Sequence, residues 1–459
     1  MDTNISLTKK FLTGESYYRF SSLMTKGLGF ITTLFVLHSL TLYQYGVFQL
    51  FLSIFSAGMV TFYLAGVTVS NDLQRFIAAG EEGKAKKLFT EYNVIRLSFG
   101  VLLTLGMVLG APLLSHWYQP DFIQMLQIVG LYFFVEALSG SLLSLVKLRL
   151  NFRAAAMEPA YGKVGQLALL IVFSLTVGIS TREALIAGLI GNIVAALTML
   201  PGARAAWRQW RGVPRHTTSV LWGVLRGYGK WDGVRQIVSN LVSNIQPWLI
   251  KVFISTEAVA IYSVALTMVD LTKTFLSFNT LSSIVPRQLA DAAASRRTFV
   301  LSIKYLLWMA VVCTAVALVA GPLGIATFFP KYLAALPYFA ALVWTVPLVV
   351  FTMQAETFLV ALREQRFLFL ASLSRNAVTP LLLVATLPVL GLWGVVATKL
   401  LVTASLIVAE LRYLFRKHAH LRFVPRELLT FTAADTVFLT SLWRHSRELL
   451  SVKVRSVLG

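Results

Sequence analysis

The sequence has a single cysteine, Cys313, among its 459 residues, so neither an intrachain disulfide nor a cysteine-based metal site can form. Its six histidines are scattered, and no group of them has the spacing of metal ligands or of a catalytic set. The GxxxxGK(S/T) pattern of a phosphate-binding loop is absent, which argues against ATP as a direct energy source. We therefore predict no catalytic residues, no metal and no bound cofactor.

Charged residues are also scarce. They make up 13% of the chain, against 57% hydrophobic residues, and the mean hydropathy is +0.72. A soluble domain has about 25% charged and about 45–50% apolar residues. This composition predicts a polytopic membrane protein. The first 15 residues contain Lys9, Lys10 and Glu15 without an apolar core, so we expect no cleavable signal peptide.

Apolar segments of spanning length predict an all-α fold with about twelve transmembrane helices. They lie near residues 16–40, 44–70, 91–116, 121–147, 158–179, 182–207, 228–254, 258–285, 299–320, 332–361, 367–389 and 391–415.

The basic residues test this topology. Of the 41 Lys and Arg residues, 31 fall in every second connection or the terminal segments, and Arg182, Lys251 and Lys331 lie on the other side. The positive-inside rule then places both termini in the cytoplasm. It also explains most of the net charge of +21, so we predict no nucleic-acid binding. The connections on the far side are too short for a domain. In the basic tail, we expect residues 428–443 to form an amphipathic helix at the membrane interface or to be disordered.

An internal repeat with an offset of 214 residues relates the two halves. Residues 41–48 align with 255–262, and residues 145–149 align with 359–363. Six helices in each half give a parallel repeat, a common transporter architecture. The predicted organisation is a cytoplasmic N-terminus, an N-lobe, a cytoplasmic linker, a C-lobe and a cytoplasmic tail, covering residues 1–15, 16–207, 208–227, 228–415 and 416–459.

Polar residues form a stripe on one face of the first predicted helix, at Ser22, Lys26, Gly29 and Thr33. The repeat places a second stripe in helix 7, formed by Gln236, Asn240, Ser243 and Pro247, with Asn244 beside it. Lipid cannot satisfy such groups, so both stripes are expected to face water or the other half of the protein.

Seven cations lie inside the predicted helices: Lys26, Arg96, Lys163, Arg235, Lys273, Arg375 and Lys399. Each costs roughly 2.5–3.5 kcal/mol in hydrocarbon, so together they predict a polar cavity that favours anions. Lys26 lies on the polar stripe, with snorkelling to the interface as its alternative role. Lys163 and Arg375 come from equivalent helices of the two halves.

The remaining four intramembrane cations have competing interpretations. Arg235 is either a cavity residue or an interface anchor, and Lys273 either lines the cavity or pairs with Asp270 at i, i+3. Arg96 and Lys399 lie near predicted helix starts, which favours snorkelling over substrate binding.

Three acids, Glu136, Asp270 and Glu356, lie deep in the predicted helices. Burial raises the pKa of a carboxyl group and lets it take up a proton near neutral pH. Each is a candidate to bind H⁺ or Na⁺, and the alternative is that each neutralises a nearby cation.

These features together resemble a known family. Tyr45-Gly46-Val47-Phe48 opens helix 2, its counterpart at 259–262 opens helix 8 with Ala260 in place of Gly46, and Arg149 and Arg363 end helices 4 and 10. With the twelve helices and short external loops, this pattern resembles the Wzx-type polysaccharide-biosynthesis flippases of the multidrug/oligosaccharidyl-lipid/polysaccharide (MOP) superfamily. The resemblance covers roughly residues 10–415.

The resemblance implies a MATE-like fold and a non-enzymatic role. It implies flipping of undecaprenyl-pyrophosphate-linked oligosaccharide across the bacterial inner membrane by alternating access, for O-antigen, capsule or exopolysaccharide assembly. The implied partners are that lipid-linked substrate, membrane lipids, a polysaccharide polymerase and a chain-length regulator. Two alternatives stay open: a multidrug or cation antiporter, which would favour an acidic cavity, and a polymerase or ligase, which would need a larger external loop.

Overall fold

The structure, a computed structural model, describes residues 2–63, 66–116, 119–148, 152–214, 216–224, 230–274, 276, 291–362 and 364–430. Every regular element in these residues is a helix. The first half contains α1 (Asp2–Ser39), α2 (Leu42–Tyr63), α3 (Gly66–Ala78), α4 (Glu82–Gly110), α5 (Pro120–Leu148), α6 (Phe152–Thr176), α7 (Thr181–Gln209) and α8 (Leu221–Val224). A 3-10 helix (Ala111–His116) extends α4.

The second half contains α9 (Lys230–Phe253), α10 (Thr256–Thr274), α11 (Ala292–Phe328), a 3-10 helix (Pro330–Ala335), α12 (Leu336–Leu342), α13 (Thr345–Ala361), α14 (Gln365–Leu390) and α15 (Leu392–Lys417). A 3-10 helix (Ala419–Leu421) and α16 (Pro425–Leu429) follow. Each predicted transmembrane helix has a counterpart here, so the all-α polytopic fold is confirmed. Seven of the described helices are long and apolar enough to span a membrane, or eight if Pro330–Leu342 and Thr345–Ala361 form one bent span.

Local sequence signals set several of these boundaries. Ser180 caps α7: its hydroxyl accepts a hydrogen bond from the Arg182 amide, and Glu183 accepts one from the Ser180 amide. Gly391 joins α14 to α15 with φ +57°, a left-handed conformation that favours glycine. Pro347 follows a 46° bend between α12 and α13 and lies in the first turn of α13, where its missing N–H costs no intrahelical bond.

Several helix boundaries differ from the prediction, and two of the differences affect how the first half of the chain is interpreted. The single span predicted at 44–70 is α2 followed by α3, an amphipathic helix whose Val69 and Leu73 are buried while Arg75 is exposed. The helix predicted from residue 91 starts at Glu82, because the charged first turns of α4 pack against α3 and the linker. Arg96 therefore lies well inside α4.

The chain divides into two compact units. Unit 1 comprises Met1–Leu271, Ala317–Val343 and Phe369–Val402, and unit 2 comprises Thr272–Val316, Trp344–Leu368 and Thr403–Gly459. The predicted lobes, 16–207 and 228–415, stay a prediction.

The core of unit 1 is rich in aromatic residues between α2 and α5. Phe55 packs against Tyr132 and Phe133, with ring centroids 5.1 and 5.6 Å apart. The Tyr132 hydroxyl donates to the Leu185 carbonyl of α7 at 2.6 Å. These contacts fix α2, α5 and α7 together around buried rings.

The linker between the halves is fastened to α4. The buried Lys86 ammonium donates to the carbonyls of Trp210 and Val213, both at 2.6 Å. The Glu91 carboxylate accepts from the amides of Val220 and Leu221 at 3.1 and 3.0 Å. The described part of the predicted linker, 208–214 and 216–224, is thus held by two oppositely charged side chains.

In unit 2 the start of the C-terminal tail packs on α11. Arg296 donates to both carboxylate oxygens of Glu427 at 2.8 Å, and the Lys304 ammonium donates to the Thr430 carbonyl at 2.6 Å. The Trp308 indole donates to the Leu428 carbonyl at 3.2 Å. Residues 431–459, with most of the predicted amphipathic segment 428–443, lie outside the described residues.

Glu364, in the connection between α13 and α14, interacts with several polar side chains of unit 2. Its carboxylate lies 2.7 Å from the Lys417 ammonium and 2.8 Å from the Tyr413 hydroxyl. The His418 ring nitrogen is 3.5 Å away. Burial alone would raise the pKa of this carboxyl, but the bonds from Lys417 and Tyr413 and the Lys417 charge hold the pKa below its ordinary value.

Candidate functional site

The polar stripe of α1 lies next to the face that packs on α6. Ser21 and Thr32 are buried, and the Ser21 hydroxyl donates to the Ala156 carbonyl of α6. One residue further along the chain, Ser22 is exposed, as is Lys26 one turn later. The half-buried Thr33 donates to the Gly29 carbonyl of its own helix at 2.9 Å. The stripe is thus left open beside the α1–α6 contact.

Lys163 lies on α6, the helix that α1 packs against. Its side chain is half-buried, and its ammonium donates to Oε1 of Gln166 at 2.8 Å. Gln166 was missed by the sequence analysis, although its i, i+3 spacing from Lys163 places it on the same face.

Arg96 is a structural cation rather than a snorkelling one, because its guanidinium is buried between α2, α4 and α5. It lies 6.0 Å from the Phe62 ring centroid and interacts electrostatically with Glu136. A Cβ atom at Gly140 would overlap the guanidinium, so this glycine makes the room. The predicted preference for snorkelling was wrong because the predicted helix started nine residues too late.

A second acid accompanies Glu136. The carboxylate of Glu158 on α6 interacts electrostatically with that of Glu136 and accepts a hydrogen bond from the Ser139 hydroxyl of α5. Glu158 is the first residue of the helix predicted at 158–179, and it was not predicted as a site residue. The structure therefore brings the half-buried Glu136 near both the buried Arg96 and the half-buried Glu158 in the first half of the chain.

The polar side chains of α9 mostly bond within their own helix. The Asn244 amide donates to the carbonyl of Asn240 at 2.8 Å and contacts its side-chain oxygen. Ser243 donates to the Ser239 carbonyl at 2.8 Å, and Gln236 is half-buried. The predicted stripe is present in the helix. The Arg235 side chain lies outside the described residues.

The second half contributes a further pair of interacting charges and several separate groups. The half-buried Lys399 of α15 interacts electrostatically with the exposed Asp270 of α10 within unit 1. Arg375 of α14 is half-buried in unit 1, Lys273 is half-buried in unit 2, and Glu356 of α13 is exposed in unit 2.

Three predicted cavity cations remain without a carboxylate. Within the described ranges, Lys26, Lys163 and Arg375 make no ion pair with an acid. Arg96 and Lys399, by contrast, each interact with an acid. The same ranges contain no group of three His, Cys, Asp or Glu side chains that could hold a metal ion. Each of α1, α6 and α14 therefore carries one cation without a carboxylate partner among the described residues of unit 1.

Several solved transporter structures share the fold of this chain. It is similar to a multidrug resistance MATE family transporter of the MOP superfamily in its inward-facing conformation, with a TM-score of 0.72, 14% identity, and coverage of 86% of this chain and 95% of that one. The outward-facing conformation of such a transporter has a TM-score of 0.61 and 14% sequence identity, and the match covers 89% of this chain and 96% of that one. A third similar structure is a MOP superfamily transporter from Pyrococcus furiosus, and the reverse polarity of its binding pocket suggests a different function for that protein. The TM-score is 0.62 and the sequence identity is 13%, and the match covers 90% of this chain and 96% of that one.

A comparison of the sequence with family models shows the family of this chain. The family described as polysaccharide biosynthesis protein matches residues 40–292, more than half of the chain. The chain belongs to this Wzx-type flippase family, and it is a multi-pass membrane protein with a MOP transporter fold. No sequence among the curated proteins matches it.

Proposed function

We propose that this protein flips undecaprenyl-pyrophosphate-linked oligosaccharide across the bacterial inner membrane by alternating access, for assembly of a surface polysaccharide. The family and the fold support a transporter in polysaccharide biosynthesis. The observation that carries the choice of cargo is that Lys26, Lys163 and Arg375 have no carboxylate partner in the part of the chain that the structure describes.

The chemistry of the cargo explains why such cations would be kept. A pyrophosphate is the part of a lipid-linked sugar that hydrocarbon solvates worst. Ammonium and guanidinium groups offset this cost through charge-assisted hydrogen bonds. A cationic antibiotic or dye would be repelled by the same groups, which favours the flippase over the multidrug antiporter. Both termini are proposed to be cytoplasmic, with a polymerase and a chain-length regulator as partners on the opposite side.

Ion coupling is proposed to use one of the three deep acids. Glu136 is the strongest candidate, because binding of H⁺ or Na⁺ there would change the charge that faces Arg96. Asp270 beside Lys399 and the exposed Glu356 are the other candidates. We expect Glu136→Gln to abolish stimulation of transport by a pH or sodium gradient and to leave cargo binding intact.

The cargo assignment is tested by binding and flipping assays in proteoliposomes. We expect Lys26→Ala, Lys163→Ala and Arg375→Ala each to weaken binding of pyrophosphate-linked lipid by about tenfold to a hundredfold, since one charged hydrogen bond contributes about 1.5–3 kcal/mol. Arg208→Ala removes an exposed arginine of α7 and serves as the matched control, with no expected effect.

Two outcomes would contradict the proposal. One is equal affinity of the parent protein for pyrophosphate-linked and neutral lipids. The other is tighter binding of a cationic dye by the three alanine variants together with undiminished lipid binding, which would indicate the antiporter.

A further inference from the structure

One end of unit 1 joins residues that are distant in sequence. This end carries the α1–α2 connection at residues 40–41 and the 3-10 helix at 330–335, and the charge distribution predicts that it is extracytoplasmic. The Lys331 ammonium donates to the carbonyls of His38 and Leu40, at 2.8 and 2.5 Å. The last carbonyls of a helix lack intrahelical partners, so Lys331 caps α1 from the second half of the chain.

An aromatic contact lies beside this cap. Tyr45 and Tyr332 are both buried and meet edge to face, with ring centroids 5.9 Å apart. The Lys331 ammonium lies 5.6 Å from the Tyr332 ring centroid. The Tyr332 hydroxyl is buried without a hydrogen-bond partner among the described residues. A buried hydroxyl of this kind loses its hydrogen bonds to water, so the closed contact forgoes stability that opening would restore.

Backbone packing completes the junction. A Cβ atom at Gly46 would overlap the Thr256 carbonyl, so the first turns of α2 and α10 touch through their backbones. Deeper along α2, the Trp248 indole donates to the Ser53 hydroxyl at 2.8 Å. This close approach gives a physical reason for glycine in the Tyr45-Gly46-Val47-Phe48 segment.

We propose that Lys331, the Tyr45–Tyr332 pair and the Gly46–Thr256 contact form a latch that closes the two halves of the chain at this end and must open in every transport cycle. The inference rests on the proposed function. Lys331 is a positioning residue in it: it touches no cargo and sets the closed population by capping α1. It is one of only three basic residues that the topology predicts on this side.

The chain suits a cysteine crosslinking test because Cys313 is its only native cysteine. Tyr43→Cys and Leu333→Cys, at exposed positions that lie one or two residues from the latch tyrosines, are introduced together in a Cys313→Ser background, and a short bifunctional thiol reagent is applied to proteoliposomes. We expect rapid intramolecular crosslinking. Adding Lys331→Ala should slow it by about tenfold, because two hydrogen bonds to a charged donor are lost. Lys331→Arg should retain most of the rate, and the control Arg182→Ala should retain all of it.

Crosslinked protein should no longer flip pyrophosphate-linked lipid but should still bind it, and cleavage of the crosslink should restore flipping. Flipping at the full rate after crosslinking, or a crosslinking rate independent of Lys331, would overturn the latch. If neither the crosslinked nor the uncrosslinked protein binds pyrophosphate-linked lipid, the proposed cargo is wrong. The crosslinking rates test the latch independently of the cargo.

Discussion

Replacing Gly140 by alanine is expected to destabilise this protein, although alanine is the better helix former. The added Cβ would overlap the buried Arg96 guanidinium, which lies between the Phe62 ring and the Glu136 charge. Better helix propensity contributes about 1 kcal/mol in favour of alanine. Overpacking costs about 1–3 kcal/mol, and the guanidinium has little room to move aside because it is buried. We expect a net loss of roughly 1–2 kcal/mol.

Thermal unfolding in detergent at a fixed scan rate measures this effect. Gly106→Ala is the matched control, because Gly106 lies on α4 and a methyl group added there would meet nothing within 4 Å. It should be neutral or slightly stabilising. In an Arg96→Met background, whose side chain has no guanidinium, Gly140→Ala should lose most of its cost, which a double-mutant cycle would show as coupling. Equal unfolding temperatures for the Gly140 and Gly106 variants would refute the reasoning.

Two further predictions concern the ends of the bundle. The lowered pKa of Glu364 means that its bond with Lys417 stabilises the fold above the ordinary carboxyl pKa of 4.5 and that this contribution is lost as the pH falls through the folded-state pKa. Glu364→Gln should therefore lower the free energy of unfolding by about 1 kcal/mol or less at pH 7 and leave it unchanged at low pH. Unfolding measured over a range of pH tests this, and a difference between variant and parent that does not depend on pH would contradict it. Lys86→Met should cost about 2–3 kcal/mol and speed amide hydrogen exchange around Trp210 and Val213, whereas unchanged exchange would show that the linker is held elsewhere.

The helices could be predicted because each carries its own signal in a run of apolar residues and in the loop charges. Contacts between distant segments carry no such signal. The early start of α4 was hidden by its charged first turns, which pack on α3 and the linker, and Arg96 was consequently assigned to the interface. The bend at residues 343–344 could not be located from Pro347 alone, because proline in a first turn is compatible with a straight helix.

The candidate site was predictable in its residue types and only partly in its partners. Helix phase selected Lys26, and the repeat selected Lys163 and Arg375. The pairing of Lys399 with Asp270 depends on how α15 meets α10, which the sequence does not specify. Lys331 was classified by topology alone, since its contacts lie almost 300 residues away in the chain.

The distinction between paired and unpaired cations separates stability from function. A cation with an acidic partner inside the bundle supports the fold whatever the cargo, because removing it leaves the charge of that acid uncompensated. A cation without a carboxylate is compensated by water or by a mobile anion, so its loss costs little stability. Arg96→Ala should therefore lower the unfolding temperature, and Lys399→Ala should lower it less, because its partner Asp270 is exposed. Lys26→Ala, Lys163→Ala and Arg375→Ala should leave it near the parent value and lower the affinity for pyrophosphate-linked lipid. Measuring both quantities on all five variants decides the matter: if stability and affinity fall together in every variant, the cations form one structural network and the pyrophosphate site has to be sought elsewhere.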